Sequence, residues 1–550
     1  MFHSCGQTHY QRSLLSNGGL SVEENDEKEN FSLSIKNIKS ELKTLYTSYL
    51  GKINVNVSNV VNGTVSLETY HNVNKKNILV KVVSATEHNL SQNSRYSLPH
   101  LNSLSSTKIN IEDNKYYYIL TLLCVKKLAQ LNKNTNKLDT INKELVEISK
   151  DKSMESALKK SKTVYPELNS TEPIHSLLDY KKLYQNIISY NSSVDIYFNS
   201  INYLDFLFEY TGIVSVNNLN FLISIAGIPK LDNAFFTGKY MVYGNGNTSF
   251  YPLTSIDVVG HELSHGLVQG TAGLEYKGHS GALNESFADI MGTMFEFYMY
   301  KKYPNLLGSK DWLIGEDLGM NRAFLRSMEN PNDGKQPDKY KGTYYMDPNG
   351  QVDFGGVHIN SGITNYCFYL ASQQNDKYEV LKVFINCLKS LNKTSNFIDF
   401  RNILKSISNN DNVILTALNQ VGLNDFVTSD YNKHNQPTPL PTPLPTPLPT
   451  PLPLPTPIPQ RFPYPRQFPQ PIPIPQRFPY PYPQPIPIPM PQRFPYPRQF
   501  PQPIPQRFPY PYPQPIPQRF PYPYPQPIPQ RFPYPRQFPQ RFDYDDYDYE

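Results

Sequence analysis

Apolar positions recur with different periods in successive parts of the chain. A weak helical repeat in "IKNIKSELKTLYTSYL" (Ile35 to Leu50) gives way to alternating, strand-like pieces such as "ILVKVVSAT". From about Tyr116 to Leu168 the pattern is Lys-rich and helical, while "VDIYFNSINYLDFLFEY" from Val194 fits helix and strand spacing equally. The segment "NAFFTGKYMVYGNGNTSFYPLTSIDVV" reads as a hairpin, two aromatic-rich runs separated by "YGNGN", whose Gly and Asn residues accept positive φ. A helix then starts near Ile256 and runs to about Gly270, and another follows from about Ala282 into "FEFYMYKKY". Helical periodicity returns from Ile363 to Leu370 and between Val380 and Leu423. Strands first and helices later predict an α+β architecture with two lobes.

Composition changes this picture at one place. The chain is 39% hydrophobic, but most of its 52 prolines lie beyond Asn432, so the part able to fold ends near Asp430. There "PTPLPTPLPTPLPTPLP" leads into six copies of "QRFPYP", starting at Gln460, Gln476, Gln492, Gln506, Gln518 and Gln530, and closes on "QRFDYDDYDYE". Proline lacks a backbone donor and fixes φ, so a disordered, extended polyproline II tail is expected rather than a packed core. Such a tail suits a spacer or anchor, or a surface for an SH3- or WW-type partner.

Net charge is +5 on a mixed background, too small to argue for nucleic acid or a membrane, and no nucleic-acid partner is expected. Cys5, Cys124, Cys367 and Cys387 have neither CxxC spacing nor the density of a disulfide scaffold, and they read as free thiols. The start, "MFHSCGQTHYQRSLLSNGGLS", lacks the charged end and apolar core of a secretory signal. "YYYILTLLCV", from Tyr116, is cut by Lys126 and Lys127 and is too short to span a bilayer.

The candidate chemistry sits in "VVGHELSHGL", Val258 to Leu267. On a helix, residues four apart are rotated by about 40° and separated by about 6 Å, so His261 and His265 can aim at one point. A catalytic zinc takes three protein ligands and leaves one position open. Glu262, slightly aside, could take a proton from attacking water. HExxH by itself is only moderately specific. The next helix adds to it: "GALNESFADI" puts Glu285 twenty positions after His265 as a third ligand, and Asp289 one turn further on the same face. Asp289 can then accept the outer N–H of a ligand histidine. Asn284-Glu285-Ser286 is also a formal glycosylation sequon, the weaker reading because a ligand-bearing helix is buried.

With these pieces the stretch from about Ser192 to Leu423 resembles the thermolysin-like neutral zinc metalloproteases of the gluzincin group. The resemblance implies a strand-rich N-terminal lobe, a helical C-terminal lobe and the zinc helix between them. It makes His261, His265 and Glu285 the zinc ligands, Glu262 the general base, and Asp289 and Asn284 their supports. "NAFF" supplies Asn233 and Ala234, where the family binds substrate backbone and the departing amine. "TAGLEY" ends in Tyr276, and "DFGGVHINSG" contributes His358 and Asp353. The family uses such a Tyr and His on the oxyanion, with the Asp orienting the His. "RSMENP" offers Arg326, matched to a residue that contacts the substrate carbonyl beyond the cleaved bond. Phe250, Leu253, Val258, Ile314 and Leu325 match the pocket for the residue after the scissile bond, which implies cleavage before Leu, Ile, Phe or Val. Asp257, Glu296, Asp311 and Glu316 match carboxylates that cluster around calcium, although the "YMYKKYPNLLGSKDW" connection is long and brings lysines nearby.

The expected organisation is an N-terminal region over 1–115, readable as a diverged prosegment of a zymogen, an N-terminal lobe over 116–270, a helical lobe over 271–428 and the tail over 429–550. Protein or peptide substrates, a monomeric state and secretion follow from the family, with a cytoplasmic location as the alternative. A zinc aminopeptidase would carry GxMEN before the zinc helix, whereas "SMEN" here follows it at Ser327. The other rival is an inert protease-like adaptor working through its tail.

Overall fold

A computed structural model describes residues 40–90, 104–170, 176–308, 310–320 and 323–424. The expectations for the first 39 residues and for the proline-rich tail lie outside the described residues. Strands β1 (Ser40–Tyr46), β2 (Lys52–Val61), β3 (Thr64–Ser66), β4 (Glu68–Val73), β5 (Lys76–Ser84) and β6 (Lys108–Asn110) come first. Helices α1 (Ile111–Leu131), α2 (Thr135–Lys150), α3 (Glu155–Val164), α4 (Leu177–Ser189) and α5 (Ser192–Thr211) follow, then β7 (Phe221–Ile228), β8 (Ala234–Phe236) and β9 (Met241–Gly244). Among the described residues these strands make an antiparallel sheet in the order β1-β2-β3-β6 and a mixed sheet in the order β4-β5-β7-β9-β8. β5 and β9 both run parallel to β7, and β8 closes the outer edge antiparallel to β9.

β5 shows why alternation matters. Side chains of a strand point alternately to its two faces, so Ile78, Val80 and Val82 join the main core while Val83 joins a smaller one with Ile223, Ile225 and Val242. Because β5 is hydrogen-bonded to β7, a boundary at 115 falls inside this lobe, and residues 40–84 belong to its sheets. The helical reading of Ile35 to Leu50 does not hold: Ser40–Tyr46 is a strand paired residue by residue with 52–58. A weak local period gives way to pairing with a partner strand and burial of Leu45 and Tyr46.

The hairpin is also displaced. β8 and β9 are joined by Thr237 to Tyr240, where Gly238 takes φ +97° and Thr237 Oγ1 accepts from Tyr240 N at 3.1 Å. The "YGNGN" stretch ends β9 and opens the loop after it, which is gathered on the Asp232 carboxylate, an acceptor from the amides of Asn247, Thr248, Ser249 and Phe250. The ambiguous run from Val194 is α5, with apolar side chains buried on most of its circumference. Its Asp195, fully buried, accepts from Ser48 N at 2.7 Å and Thr254 Oγ1 at 3.3 Å, tying the β1–β2 turn to the approach of the next helix. Helices α1 to α4 form a second core with Tyr46, Tyr251 and Met320.

The rest is helical. α6 (Ile256–Gly270) and α7 (Gly278–Lys302) pack side by side, followed by the small hairpin β10 (Leu313–Ile314) and β11 (Arg326–Ser327). Then come α8 (Asp353–Ser372), α9 (Lys377–Ser390), α10 (Phe397–Ile407) and α11 (Asn412–Gln420). α6 and α7 approach closely because each offers a glycine at the crossing. A Cβ on Gly260 would stand 3.0 Å from the Gly292 Cα, and one on Gly292 would stand 2.5 Å from the Asp257 carbonyl oxygen. That approach sets the polar faces of the two helices against each other. Among the described residues no helix is long and apolar enough to cross a membrane.

Candidate metal centre and its cleft

His261 and His265 lie one turn apart on α6, and their Nε2 atoms converge to 3.1 Å. Glu285, from α7, puts Oε2 3.5 Å from His261 Nε2 and Oε1 3.6 Å from His265 Nε2. Donors on a tetrahedral zinc with bonds of 2.0–2.1 Å stand about 3.3 Å apart, close to the spacing of these three. Glu285 is 1% exposed, and its Oε2 has no hydrogen-bond partner among the described residues. A buried, unpartnered carboxylate oxygen facing two imidazole nitrogens fits a bound cation, and the two-nitrogen, one-oxygen set fits zinc.

The outer nitrogens are held in turn. His261 Nδ1 is 2.8 Å from Asp289 Oδ1, and His265 Nδ1 is 2.9 Å from Asn284 Oδ1, so Asp289 and Asn284 stand where the sequence put them. Asp289 also takes a two-pronged contact from Arg326, Nε to Oδ2 at 2.8 Å and Nη2 to Oδ1 at 2.6 Å, and a hydrogen bond from Asn365. Sequence reasoning missed Asn365, although it lies two helical turns after His358 on α8.

Electrostatics follow from these partners. Burial alone would raise Glu285, but His358, His265, His261 and Arg326 outweigh it and hold the carboxyl at about 2. Asp289 is lowered further, with burial opposed chiefly by Arg326 and His261. Burial disfavours the His261 cation, yet Asp289, Glu285 and Glu262 raise it, whereas His265 falls to about 4 because burial dominates there. Glu262, 6% exposed on the same helix, is pushed up to about 7 by burial, with His261 opposing.

Two further side chains border Glu285. Tyr276 donates its hydroxyl to Glu285 Oε1 and lies 3.0 Å from His358 Nε2. Asp353 holds His358 twice, accepting from its backbone N–H at 2.9 Å and approaching Nδ1 at 2.6 Å. Burial works against a charged His358, but Glu285 and Asp353 overcome it and raise the imidazole to about 9. Asp353, Phe354, Gly355 and Gly356 all have positive φ. That turn brings Asp353 back over His358. Phe354, whose ring centroid is 6.0 Å from that of Tyr276, is a neighbour the sequence reading passed over.

Asn233 and Ala234 sit at the start of the outer strand β8, with Asn233 O accepting from Gly244 N. Phe250, Leu253, Val258 and Ile314 belong to one apolar cluster, and Leu325 packs against it. Val258 is one turn before Glu262 on α6, and Leu325 N donates to Ile314 O.

Glu296, Asp311 and Glu316 bring carboxylate oxygens within 4.8 Å of one another. Asp257, in the first turn of α6, accepts from Ser255 Oγ at 2.5 Å and Gly315 N at 2.6 Å and adds to the charge repulsion at Glu296 and Glu316. Burial and mutual repulsion raise Glu296 well above its usual value and Glu316 to about 10. Asp317, absent from the sequence-based set, is another source of that repulsion.

Taken together, the chain is a two-lobed α+β protein with a His-His-Glu metal centre between a strand-rich and a helical lobe. Residues 51–269 match the family model "Thermolysin metallopeptidase, catalytic domain", and residues 272–415 match its companion "Thermolysin metallopeptidase, alpha-helical domain". The two matches together span more than half of the chain, and the chain belongs to the thermolysin family of metallopeptidases. Bacillolysin of Bacillus caldolyticus and thermolysin of Alicyclobacillus acidocaldarius subsp. acidocaldarius are each 40% identical to it over 216 residues, 35% of this chain and 38% of each relative. The chain therefore spans well under half the length of these relatives. The solved precursor of protealysin, a metalloproteinase from Serratia proteamaculans, is 31% identical, covering 42% of this chain and 78% of that one at a TM-score of 0.37.

Proposed function

We propose that the chain is a zinc-dependent endopeptidase that hydrolyses peptide bonds on the amino side of large apolar residues. The observation that carries this reading is the convergence of His261, His265 and Glu285 around one point with the buried Glu262 beside it. A zinc ion held by those three would act as a Lewis acid towards a peptide carbonyl and towards water. Every other part of the reaction falls to the chain. Glu262, poised near neutrality by burial, removes a proton from the attacking water and delivers it to the departing nitrogen. Tyr276 and His358 donate to the oxygen that gains negative charge, and Asp353 keeps the His358 ring turned towards it. Asn233 and Ala234 on the outer strand bind the substrate backbone, Arg326 reaches the carbonyl beyond the cleaved bond, and the apolar group around Val258 receives the next side chain.

Calcium belongs to the same proposal. Glu296, Asp311 and Glu316 offer the oxygen-only donors that calcium takes. An inert adaptor would have no use for three converging ligands with a buried glutamate on the same helix and a Tyr–His pair bordering the third ligand.

The test is hydrolysis of a quenched peptide with Leu after the scissile bond, by wild type and by Glu262→Gln at equal zinc content. Turnover in the first and its loss by about 10²- to 10⁴-fold in the second is expected. Zinc-loaded, folded wild type that cuts nothing would end this reading.

A further inference from the structure

We infer that the proline-rich tail is written to escape the chain's own site, and that the first bond open to cleavage from Leu440 onward is Arg541–Phe542. The inference rests on the endopeptidase reading above. A substrate lying along β8, the outer strand of its sheet, is held in part by main-chain hydrogen bonds to that edge. Such a substrate must offer N–H groups close to the bond that is cut. Proline has none, and its ring restricts the residue before it.

The tail applies this rule without exception over a hundred-residue scale. Every Leu, Ile, Met, Phe and Tyr from Leu440 to Phe538 is followed at once by proline, from Leu440-Pro441 through Phe462-Pro463 and Met490-Pro491 to Phe538-Pro539. Gln and Arg obey no such rule: Gln460 precedes Arg461, and Arg461 precedes Phe462. An apolar residue entering the pocket would thus always bring a proline into the next position. In the folded body, apolar residues are guarded by burial. In the tail, sequence supplies the guard.

The pattern breaks at Phe542, which is followed by Asp543. At Arg541–Phe542 the water oxygen adds to the Arg541 carbonyl carbon and the C–N bond to Phe542 breaks. One water proton then ends on the Phe542 amine, releasing the acidic segment that begins there.

Full-length, zinc-loaded protein tests this when incubated alone and followed by intact mass and terminal sequencing, beside Glu262→Gln and Pro463→Ala. A proline-free quenched peptide with Leu after the bond serves as reference. Wild type should lose the segment from Phe542 onward and show no other cut beyond Leu440, Glu262→Gln should stay whole, and Pro463→Ala should open Arg461–Phe462 at least about tenfold faster than wild type. If the reference peptide is cut while wild type also cuts before proline-followed residues, the inference is overturned. It is equally overturned, with the reference cut, if Pro463→Ala is no more sensitive than wild type or if Arg541–Phe542 survives. A reference peptide left intact would instead remove the endopeptidase reading, and this inference with it.

Discussion

Two acidic centres share the α6–α7 pair and solve the same problem in opposite ways. At the first, Glu285 and Asp289 are buried, yet Arg326 and three imidazoles stand against them, so both carboxylates are ionised in the protein alone. At the second, Glu296, Asp311 and Glu316 face one another with Asp257 and Asp317 adding to the repulsion, and no Lys or Arg is paired to the three among the salt bridges of the described residues. Burial and repulsion push their carboxyls up, a cost that a bound cation would relieve. The difference is one of supply. The first centre carries its positive charge in the sequence, whereas the second must import it. On the proposed function, a zinc ion at the first would serve the chemistry and a cation at the second would serve folding stability.

Removing the built-in charge is the most severe way to break this contrast. Arg326→Met leaves Asp289 buried with its strongest partner gone, and breaking one side of a buried pair costs about 3–5 kcal/mol. Denaturant titration should show that loss, together with weaker zinc retention because His261 depends on Asp289 for its orientation. Stability equal to wild type would mean that the charges at the first centre are not balanced as described.

A milder change separates charge balance from chemistry. His358 is the largest single influence opposing burial at Glu285, but its side chain is partly open to the cleft, 38% exposed. His358→Ala should lower turnover by about 10²- to 10³-fold, the cost of one oxyanion donor, while the midpoint of unfolding stays close to wild type. A large fall in stability with turnover preserved would assign His358 to the scaffold instead.

The second centre answers to the solvent. With zinc kept saturating, adding calcium to a chelated sample at about a hundred times its dissociation constant should stabilise the protein by about 2.7 kcal/mol. The paired variant Glu296→Gln with Glu316→Gln should lose that response while remaining folded, because it removes repulsion along with affinity. A melting temperature indifferent to calcium in wild type would leave the trio as repelling acids without a cation, and the contrast would collapse.

The first centre was legible in the sequence and the second only in part, for a physical reason. Ligands at i and i+4 on one helix, and Glu285 and Asp289 one turn apart on the next, are fixed by helix geometry over a few residues. The bounds of α6 follow from the same local period. How Asp257 meets Glu296, Asp311 and Glu316 depends on contacts such as that of Gly315 N with the Asp257 carboxylate, between residues 58 apart in sequence. β1 depended on its pairing with β2, and the turn at Thr237–Tyr240 competed with an equally turn-rich "YGNGN" whose fate is set by the Asp232 side chain. Periodicity sees neither a partner strand nor a carboxylate that collects amides.

Phe354 offers the finest test, because it lies where stability and cleft geometry pull apart. A bulky residue at φ +52° is held in a conformation that Asn and Asp adopt far more readily. Its ring nevertheless meets Tyr276, the donor beside Glu285. Phe354→Asn relieves backbone strain and loses a half-buried ring contact, two effects of about 1 kcal/mol each and of opposite sign. The unfolding midpoint should therefore move little, while turnover falls severalfold as Tyr276 loses its neighbour. Zinc content should not change, since the ring contact of Phe354 is with Tyr276. Unaltered turnover, with a clear gain in stability, would show that the ring is mere strain and that Tyr276 is positioned by Glu285 and His358 alone.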